Sequence, residues 1–370
     1  MSQETSNLIA KLKRLIPDST KAKEYFLDLE NIKPIVVSRA LDSERVNEFE
    51  SAKLKRARLK KIEAIIKVLD KIEIVESDEY RVMNFTPPEL ETMESVIKIT
   101  RPALFVVDGK YLPALPPIGG DLDWNAILDP HRDDIQKTCK SVGRIEFRDS
   151  NGKEWEQYAT GFLVADDVIM TNQHVAKYFC DKNVDANKWV FDPETNNRRI
   201  DYSEEKNTTK SREFEITEIL KIYESIDLAL FRVAKTSKPE GQKLPTPLVI
   251  ANRTESMLKR ERPVYVVGYP TRDTNELERM LYVFDNTYKV KRLQPGIITG
   301  IQQERGVLYH DCSTLAGNSG SCVIDIELNQ VIGLHFSGIL SSEFNEALAF
   351  PLLSATDKSD LEEYGVKFAE

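Results

Sequence analysis

The sequence predicts a mainly β protein preceded by a small α-helical N-terminal domain, and three observations carry that expectation. From about residue 141 onward, short apolar runs recur between Gly, Asn, Asp and Pro: VGRIEF, TGFLVA, KWVF, DLALFRV, VYVVGYP, GIITGI, QVIGLHF and ALAFPL. Many short strands over about 230 residues read as an all-β barrel or a sandwich pair. Before residue 75 the apolar period is helical instead. Between these regions, FTPPEL (85–90) and YLPALPPIGGDLDW (111–124) are rich in Pro and Gly, the composition of a connecting segment. The expected division is therefore 1–80 helical module, 81–124 connector and 125–370 β domain.

In the N-terminal part, Ile62, Ile65, Ile66 and Leu69 fall at helix spacing, Asp42–Ser43 offers a helix start, and Pro17 and Pro34 divide the stretch into shorter helices. The basic run KLKRARLKK (53–61) interleaves Leu54, Ala57 and Leu59 with its charges, the pattern of a solvated helix face. At the other end, residues 353–365 read as a closing helix.

The chain has 370 residues, is 41% hydrophobic and carries a net charge of −9. That is enough apolar material for a sizeable core, and a charge balance that argues against general nucleic-acid binding. No apolar run approaches the ~18 residues of a membrane span. The opening MSQETSNLIAKLKRLIPD scatters charges through its apolar positions and lacks the uninterrupted core of a secretory signal. A cytoplasmic location is expected, with no membrane partner. Cys139, Cys180, Cys312 and Cys322 form no C-x-x-C pair, so free thiols are expected, with no metal and no cofactor.

Four histidines are present, and one of them, His174, sits in VIMTNQHVAKYF directly after an apolar strand. Asp227 opens the strand SIDLALFRV, and Ser319 lies in DCSTLAGNSGSC (311–322). A serine hydroxyl is a weak nucleophile at neutral pH. It needs a neutral imidazole to take its proton and a carboxylate to fix the imidazole tautomer. His174, Asp227 and Ser319 supply those groups, each at a strand edge. Gly317 lets the backbone turn, so that its N–H and that of Ser319 can converge on one oxyanion.

TNQHV (171–175), DLALF (227–231), GYP (268–270) and GNSGS (317–321), in that order, resemble the chymotrypsin-like serine proteases. Within that group the stretch STLAGNSGSCVIDIELNQVIGLHFSGILSSEFNEA is most similar to bacterial glutamyl endopeptidases of the staphylococcal type. The resemblance covers about residues 125–355. It implies two six-stranded β-barrels with the active site between them, His174 as general base, Asp227 as its orienting carboxylate and Ser319 as nucleophile. It also implies cleavage after acidic residues, with Ser313, Thr314, His335, Phe336, Ser337 and Gly338 binding substrate. Cys322 stands where the family usually has proline, and Ser337 where a second glycine is usual.

The helical N-terminal extension has no counterpart in those secreted enzymes. It is similar in plan to intracellular bacterial proteins that join a helical module to a trypsin-like domain, often as defence or signalling effectors. The expected protein is thus a serine endopeptidase acting on protein substrates, with a regulatory protein partner engaged through residues 1–75. A housekeeping quality-control protease and a non-catalytic protease-fold scaffold are the alternatives. ILDPHRDDI (127–135) resembles the start of the mature family enzymes, whose free α-amino group helps complete the acidic pocket. By that resemblance, cleavage near residue 127 would activate a latent chain.

Overall fold

The computed structural model describes residues 64, 66–68, 86, 100–114, 122–148, 156–183, 187–238, 241–252, 257–271, 283–284, 287–338 and 345–370. The chain divides into two compact units, one of Met1–Thr100, Leu115–Trp124 and Glu278–Tyr282, the other of Arg101–Ala114, Asn125–Leu277 and Val283–Glu370. In the first unit, residues 64 and 66–68 are helical and Val68 is buried. The remaining expectations for 1–80, including the helix breaks and the basic face at 53–61, lie outside the described residues. Among the described residues no helix is long and apolar enough to cross a membrane.

The second unit opens with a hairpin, β1 (Leu104–Val107) and β2 (Lys110–Tyr111). Its two-residue turn is Asp108–Gly109, with φ of +51° and +71°. Asp-Gly tolerates the left-handed conformation at both positions, as a tight hairpin turn requires. Two helices follow, α1 (Trp124–Leu128) and α2 (Arg132–Lys140). Helix α2 buries Ile135, Thr138 and Cys139 on one face, and carries Asp133 and Asp134 in its first turn and Lys137 and Lys140 in its last. That charge order complements the helix dipole.

The first barrel is closed and antiparallel. Its strands are β3 (Val142–Arg148), β4 (Glu156–Ala165), β5 (Val168–Thr171), β8 (Asn196–Asp201), β9 (Glu213–Tyr223) and β10 (Leu228–Val233), in the order β10-β5-β4-β3-β8-β9. A small hairpin, β6 (Cys180–Asn183) and β7 (Lys188–Phe191), is inserted after helix α3 (Gln173–Ala176). Ile145, Leu163, Ile169, Ile200, Phe214 and Phe231 fill the barrel.

The second barrel comprises β11 (Pro263–Gly268), β12 (Arg292–Gln302), β13 (Val307–His310), β14 (Cys322–Asp325), β15 (Gln330–Gly338) and β16 (Asn345–Ala349). The order is β11-β14-β15-β16-β13-β12, closed by the β11–β12 pairing. Val264, Val266, Ile298, Leu308, Val323 and Ile332 form its core. Helix α4 (Ala355–Glu363) follows, capped by Ser354, whose hydroxyl accepts from Asp357 N at 3.0 Å. All four cysteines are buried free thiols. Two six-stranded barrels and a closing helix match the expected β architecture.

Residues 101–114, which composition assigns to the connector, are instead built onto the β region. β1 extends the second barrel's sheet from β12, with Phe105 opposite Arg292. The buried Arg292 guanidinium stacks over Phe105 and donates to Ala103 O at 2.9 Å. Gly109 N donates to Glu205 Oε2 at 2.8 Å, while Lys291 Nζ, wholly buried, donates to Glu205 Oε1 at 3.2 Å and Tyr202 O at 2.8 Å. Burial pulls the Lys291 ammonium below its usual range, against the raising effect of Glu205.

The first barrel holds a buried carboxylate, Glu146, between Arg199, whose Nε lies 2.6 Å from it, and Arg144; Arg199 also reaches Glu213. Breaking one partner of a buried pair leaves the others uncompensated in a poorly solvated place. Glu146→Gln is expected to lower unfolding free energy by about 3 kcal/mol, read from urea midpoints at constant m-value. A loss under about 0.5 kcal/mol, the scale of an exposed pair, would show that the cluster is solvated.

Candidate active site

Strand register brings the acid to the imidazole. β5 and β10 pair antiparallel with Thr171 opposite Ala229. Moving on along one strand and back along the other brings Gln173 and His174 level with Asp227. Asp227 takes φ of +48°, a left-handed conformation that Asp and Asn tolerate better than most residues. Three hydrogen bonds hold it there. Asn172 Nδ2 donates to Asp227 O at 3.1 Å, His174 N to Asp227 Oδ1 at 2.9 Å, and His174 Nδ1 lies 2.8 Å from Asp227 Oδ2. A carboxylate only accepts, so Nδ1 carries the proton and Nε2 of the neutral ring presents a lone pair.

Ser319 sits in the loop between β13 and β14. The loop's amides are divided in a telling way. Asn318 N donates to Leu315 O at 3.1 Å, Gly320 N to His335 O at 2.9 Å and Ser321 N to Asn318 O at 2.9 Å. Gly317 N and Ser319 N have no acceptor among the described residues. Gly317 has φ of +85° and Gly320 of +84°. A Cβ on Gly320 would stand 2.1 Å from Thr160 O and 2.2 Å from Thr171 Oγ1, so only glycine admits this approach of the loop to the first barrel. The Ser319 hydroxyl makes no hydrogen bond among the described residues. An imidazole lone pair, a free hydroxyl and two unspent amides are the parts needed to form and stabilise a tetrahedral adduct.

The expected substrate-binding residues divide by environment. Ser313 is buried and its hydroxyl donates to Arg101 O at 2.7 Å; it has no proton left to offer a ligand. Arg101 also pairs with Asp311 at 3.0 Å, both side chains being buried, and Asp311 accepts from Ile297 N. Thr314 donates to Asn345 Oδ1 at 2.8 Å, and Asn345 Nδ2 donates to Cys312 O at 2.6 Å. Phe336 and Ser337 are half-buried. The β14 ladder ends at Leu334, whereas β16 pairs as far as Gly338. Among the described residues, 336–338 are therefore laddered on one side only.

His335 is 2% exposed and its Nδ1 lies 3.3 Å from Nε2 of His310, which is fully buried. Among the described residues His310 Nδ1 has no partner. A buried N–H without an acceptor is costlier than an idle lone pair, because carbonyl-type acceptors are left unsatisfied more often than donors. The His310 proton therefore sits on Nε2 and is donated to His335 Nδ1, which leaves the His335 proton on Nε2. Desolvation pushes His310 down to about 3 and holds His335 well below its usual value, with His310 and His174 lowering it further and a bond to the Glu346 backbone opposing them. Both rings are neutral at physiological pH.

Thr160, Arg101, His310 and Asn345 escaped sequence reasoning. Asn345 alone had a signal, in the EFN segment. Among the described residues no group of three or more His, Cys, Asp or Glu could hold a metal ion.

Residues 159–334 match the family described as trypsin-like peptidase domain. The chain is 30% identical over 189 residues to exfoliative toxin A of Staphylococcus aureus, covering 49% of this chain and 56% of the toxin. It thus spans only about half the length of that relative. Among solved structures it is similar to the active form of the Rv3671c protease of M. tuberculosis (TM-score 0.41, 20% identity, 66% of this chain and 88% of that one). The inactive serine-to-alanine form of that protease gives a TM-score of 0.39 at 20% identity, over 69% of this chain and 96% of the other.

The buried histidines make stability acid-sensitive. Their folded pKa values lie below 6.5, so the unfolded chain binds protons first as pH falls. Their contribution is complete above about 6.5 and declines below it, by about 1.4 kcal/mol per pH unit for each histidine. Urea midpoints between pH 7 and 5, above the range of ordinary carboxylates, are expected to fall. His310→Gln should lose about one proton's worth of that slope. A flat profile over this interval would refute the buried neutral pair.

Proposed function

We propose that this chain is a serine endopeptidase working by Ser/His/Asp acyl-enzyme catalysis. The observation that carries the proposal is the doubly bonded His174–Asp227 pair combined with a serine loop that leaves Gly317 N and Ser319 N unpaired. His174 Nε2 takes the Ser319 proton as Oγ attacks the scissile carbonyl. Asp227 stabilises the imidazolium that results. The carbonyl oxygen, now an oxyanion, accepts from Gly317 N and Ser319 N. His174 then returns the proton to the leaving amine, and water repeats the cycle on the acyl-enzyme. An extended substrate would add to the open edge of residues 336–338. The match to a trypsin-like peptidase family over 159–334 supports the same reading.

The proposed substrate class is a protein cleaved after Glu or Asp. The support is the buried, neutral His310–His335 pair, with Thr314 close to the same strands through Asn345. A carboxylate is the ligand side chain best served by such groups. Ser313 is left out of this pocket because its proton is committed to Arg101 O. We further propose a cytoplasmic effector regulated through its N-terminal region. Residues 101–114, which follow that region in the chain, are the support, since Arg101 pairs with Asp311 in the loop before Ser319. They also alter the latency idea: a chain beginning at Ile127 would lose Arg101 and the hairpin that holds Glu205 and Arg292.

Ser319→Ala should fold as the wild type and lose turnover of acidic peptides by at least ~10³-fold, together with labelling by a serine-directed phosphonate. Among peptides differing only at P1, Glu and Asp should lead, and His335→Ala should reduce those two most. Robust turnover by Ser319→Ala would sink the peptidase reading, and a profile dominated by Lys, Arg or Leu the acidic one. A chain from Ile127 should be less active than one from residue 100. Equal kcat/KM would show that the hairpin has no part in the pocket.

A further inference from the structure

We infer that Thr160 is a positioning residue for the oxyanion site, holding the Gly317 carbonyl from the opposite barrel so that the Gly317 and Ser319 amides stay convergent. The inference rests on the peptidase reading above and adds to it a residue that never touches substrate. Thr160 lies in the middle of β4, in the first barrel, and is fully buried. The serine loop belongs to the second. All of the polar groups of Thr160 are spent at this junction. Its hydroxyl donates to Gly317 O at 2.8 Å and accepts from Tyr269 N at 3.1 Å. Its N–H donates to Ser319 O at 2.9 Å, and its carbonyl accepts from Thr171 Oγ1 at 2.8 Å.

The need for such a hold follows from Gly317 itself. A glycine at φ of +85° has no Cβ to restrict its rotation. The peptide that carries Gly317 N is held at its other end, where Ala316 O accepts from Thr271 N at 2.7 Å. The torsion after Gly317 is fixed by its own carbonyl, and the only hydrogen bond to that carbonyl among the described residues comes from the Thr160 hydroxyl. Without it, Gly317 can turn and carry Asn318 and Ser319 N away from the shared point. The Tyr269 N–H → Thr160 O–H → Gly317 C=O relay runs in one direction, so each bond polarises the next. Thr171 extends the connection to the strand that ends just before Asn172 and His174. One threonine thus links the imidazole side of the site to the oxyanion side.

The test uses full-length Thr160→Val and Thr160→Ser, with folding checked by circular dichroism and thermal melting. The chromogenic substrate has Glu at P1. A peptide boronic acid of the same sequence mimics the tetrahedral adduct, and the corresponding product acid mimics the ground state. Val keeps the shape and removes the donor. It should lower kcat by ~10²-fold, with KM changed less than ~3-fold, as for loss of an oxyanion donor. Boronate affinity should fall in parallel while product affinity holds. Thr160→Ser, which keeps the hydroxyl, should restore kcat to within ~3-fold of wild type. A merely structural residue would lower the melting temperature without splitting kcat from KM. Wild-type kcat in the Val variant, or failure of Ser to rescue, overturns the inference. If the wild type itself neither turns over peptides nor reacts with the phosphonate, the peptidase reading fails instead. The crystal structure of Thr160→Val then still decides the matter: a Gly317 carbonyl that has not rotated overturns the positioning role.

Discussion

Two backbone N–H groups, of Gly317 and Ser319, that have no acceptor among the described residues are the constraint around which this molecule is organised. Buried amides are almost always paired, because an unmade bond forfeits the hydration it replaced. A loop left to itself would turn Gly317 N or Ser319 N toward the nearest acceptor. It is prevented by saturating everything adjacent. Ala316 O, Gly317 O, Asn318 O and Ser319 O each accept a hydrogen bond, and Asn318 N, Gly320 N and Ser321 N each donate one. The donors come from both barrels, from Thr271, Thr160 and Ser321. Only glycine fits at 320, where the loop backbone meets β4 and β5. Arrangement of this kind keeps oriented dipoles ready before any charge develops, which is what makes such sites effective.

The same logic governs the imidazole side. Asp227 holds a backbone conformation that costs most residues about 1–2 kcal/mol, and the β5–β10 register, Asn172 and two bonds from His174 maintain it. Strain at this point does work: it turns both carboxylate oxygens toward one histidine, one to its backbone and one to its ring. The tautomer follows from that geometry without any further group. The histidines differ in environment. His174 is part-exposed and its ring is held by Asp227. His310 and His335 are buried, where desolvation keeps them neutral.

Buried charge joins the parts outside the site. Lys291 and Glu205 tie the chain just ahead of β12 to the loop after β8, and Glu205 also receives the turn of the 101–114 hairpin. Arg101, from the start of that segment, neutralises Asp311 and takes the Ser313 hydroxyl on its carbonyl. A residue far upstream in sequence therefore becomes part of the wall ahead of the serine loop. Pairs of this kind add little net stability over apolar packing, yet losing one member is severe. They make the hairpin and the barrels interdependent.

Much of this was legible in the chain. Short apolar runs with turn residues between them marked β3, β4, β10, β11, β12, β15 and β16, whereas KWVF proved to be the inserted hairpin strand β7 and the barrel strands β8, β9, β13 and β14 carried no such run. His174, Asp227 and Ser319 stood out because nucleophilic catalysis demands those residue types, and GNSGS because oxyanion binding demands glycine at a left-handed position. FVVDGKYL carried a hairpin signal in Asp108–Gly109, masked by the Pro-rich stretches on either side. What only the tertiary structure decided are the contacts between distant strands. Thr160 is one threonine among many, and nothing local sets it apart from a strand residue with a buried hydroxyl. Ser313 reads as a pocket donor until Arg101 arrives to take its proton. His310 and His335 become a pair only because β16 lies between their strands. Sequence spells out what each segment can form and which chemistry it holds; barrel closure determines which hydrogen-bonding groups are used up and which remain free.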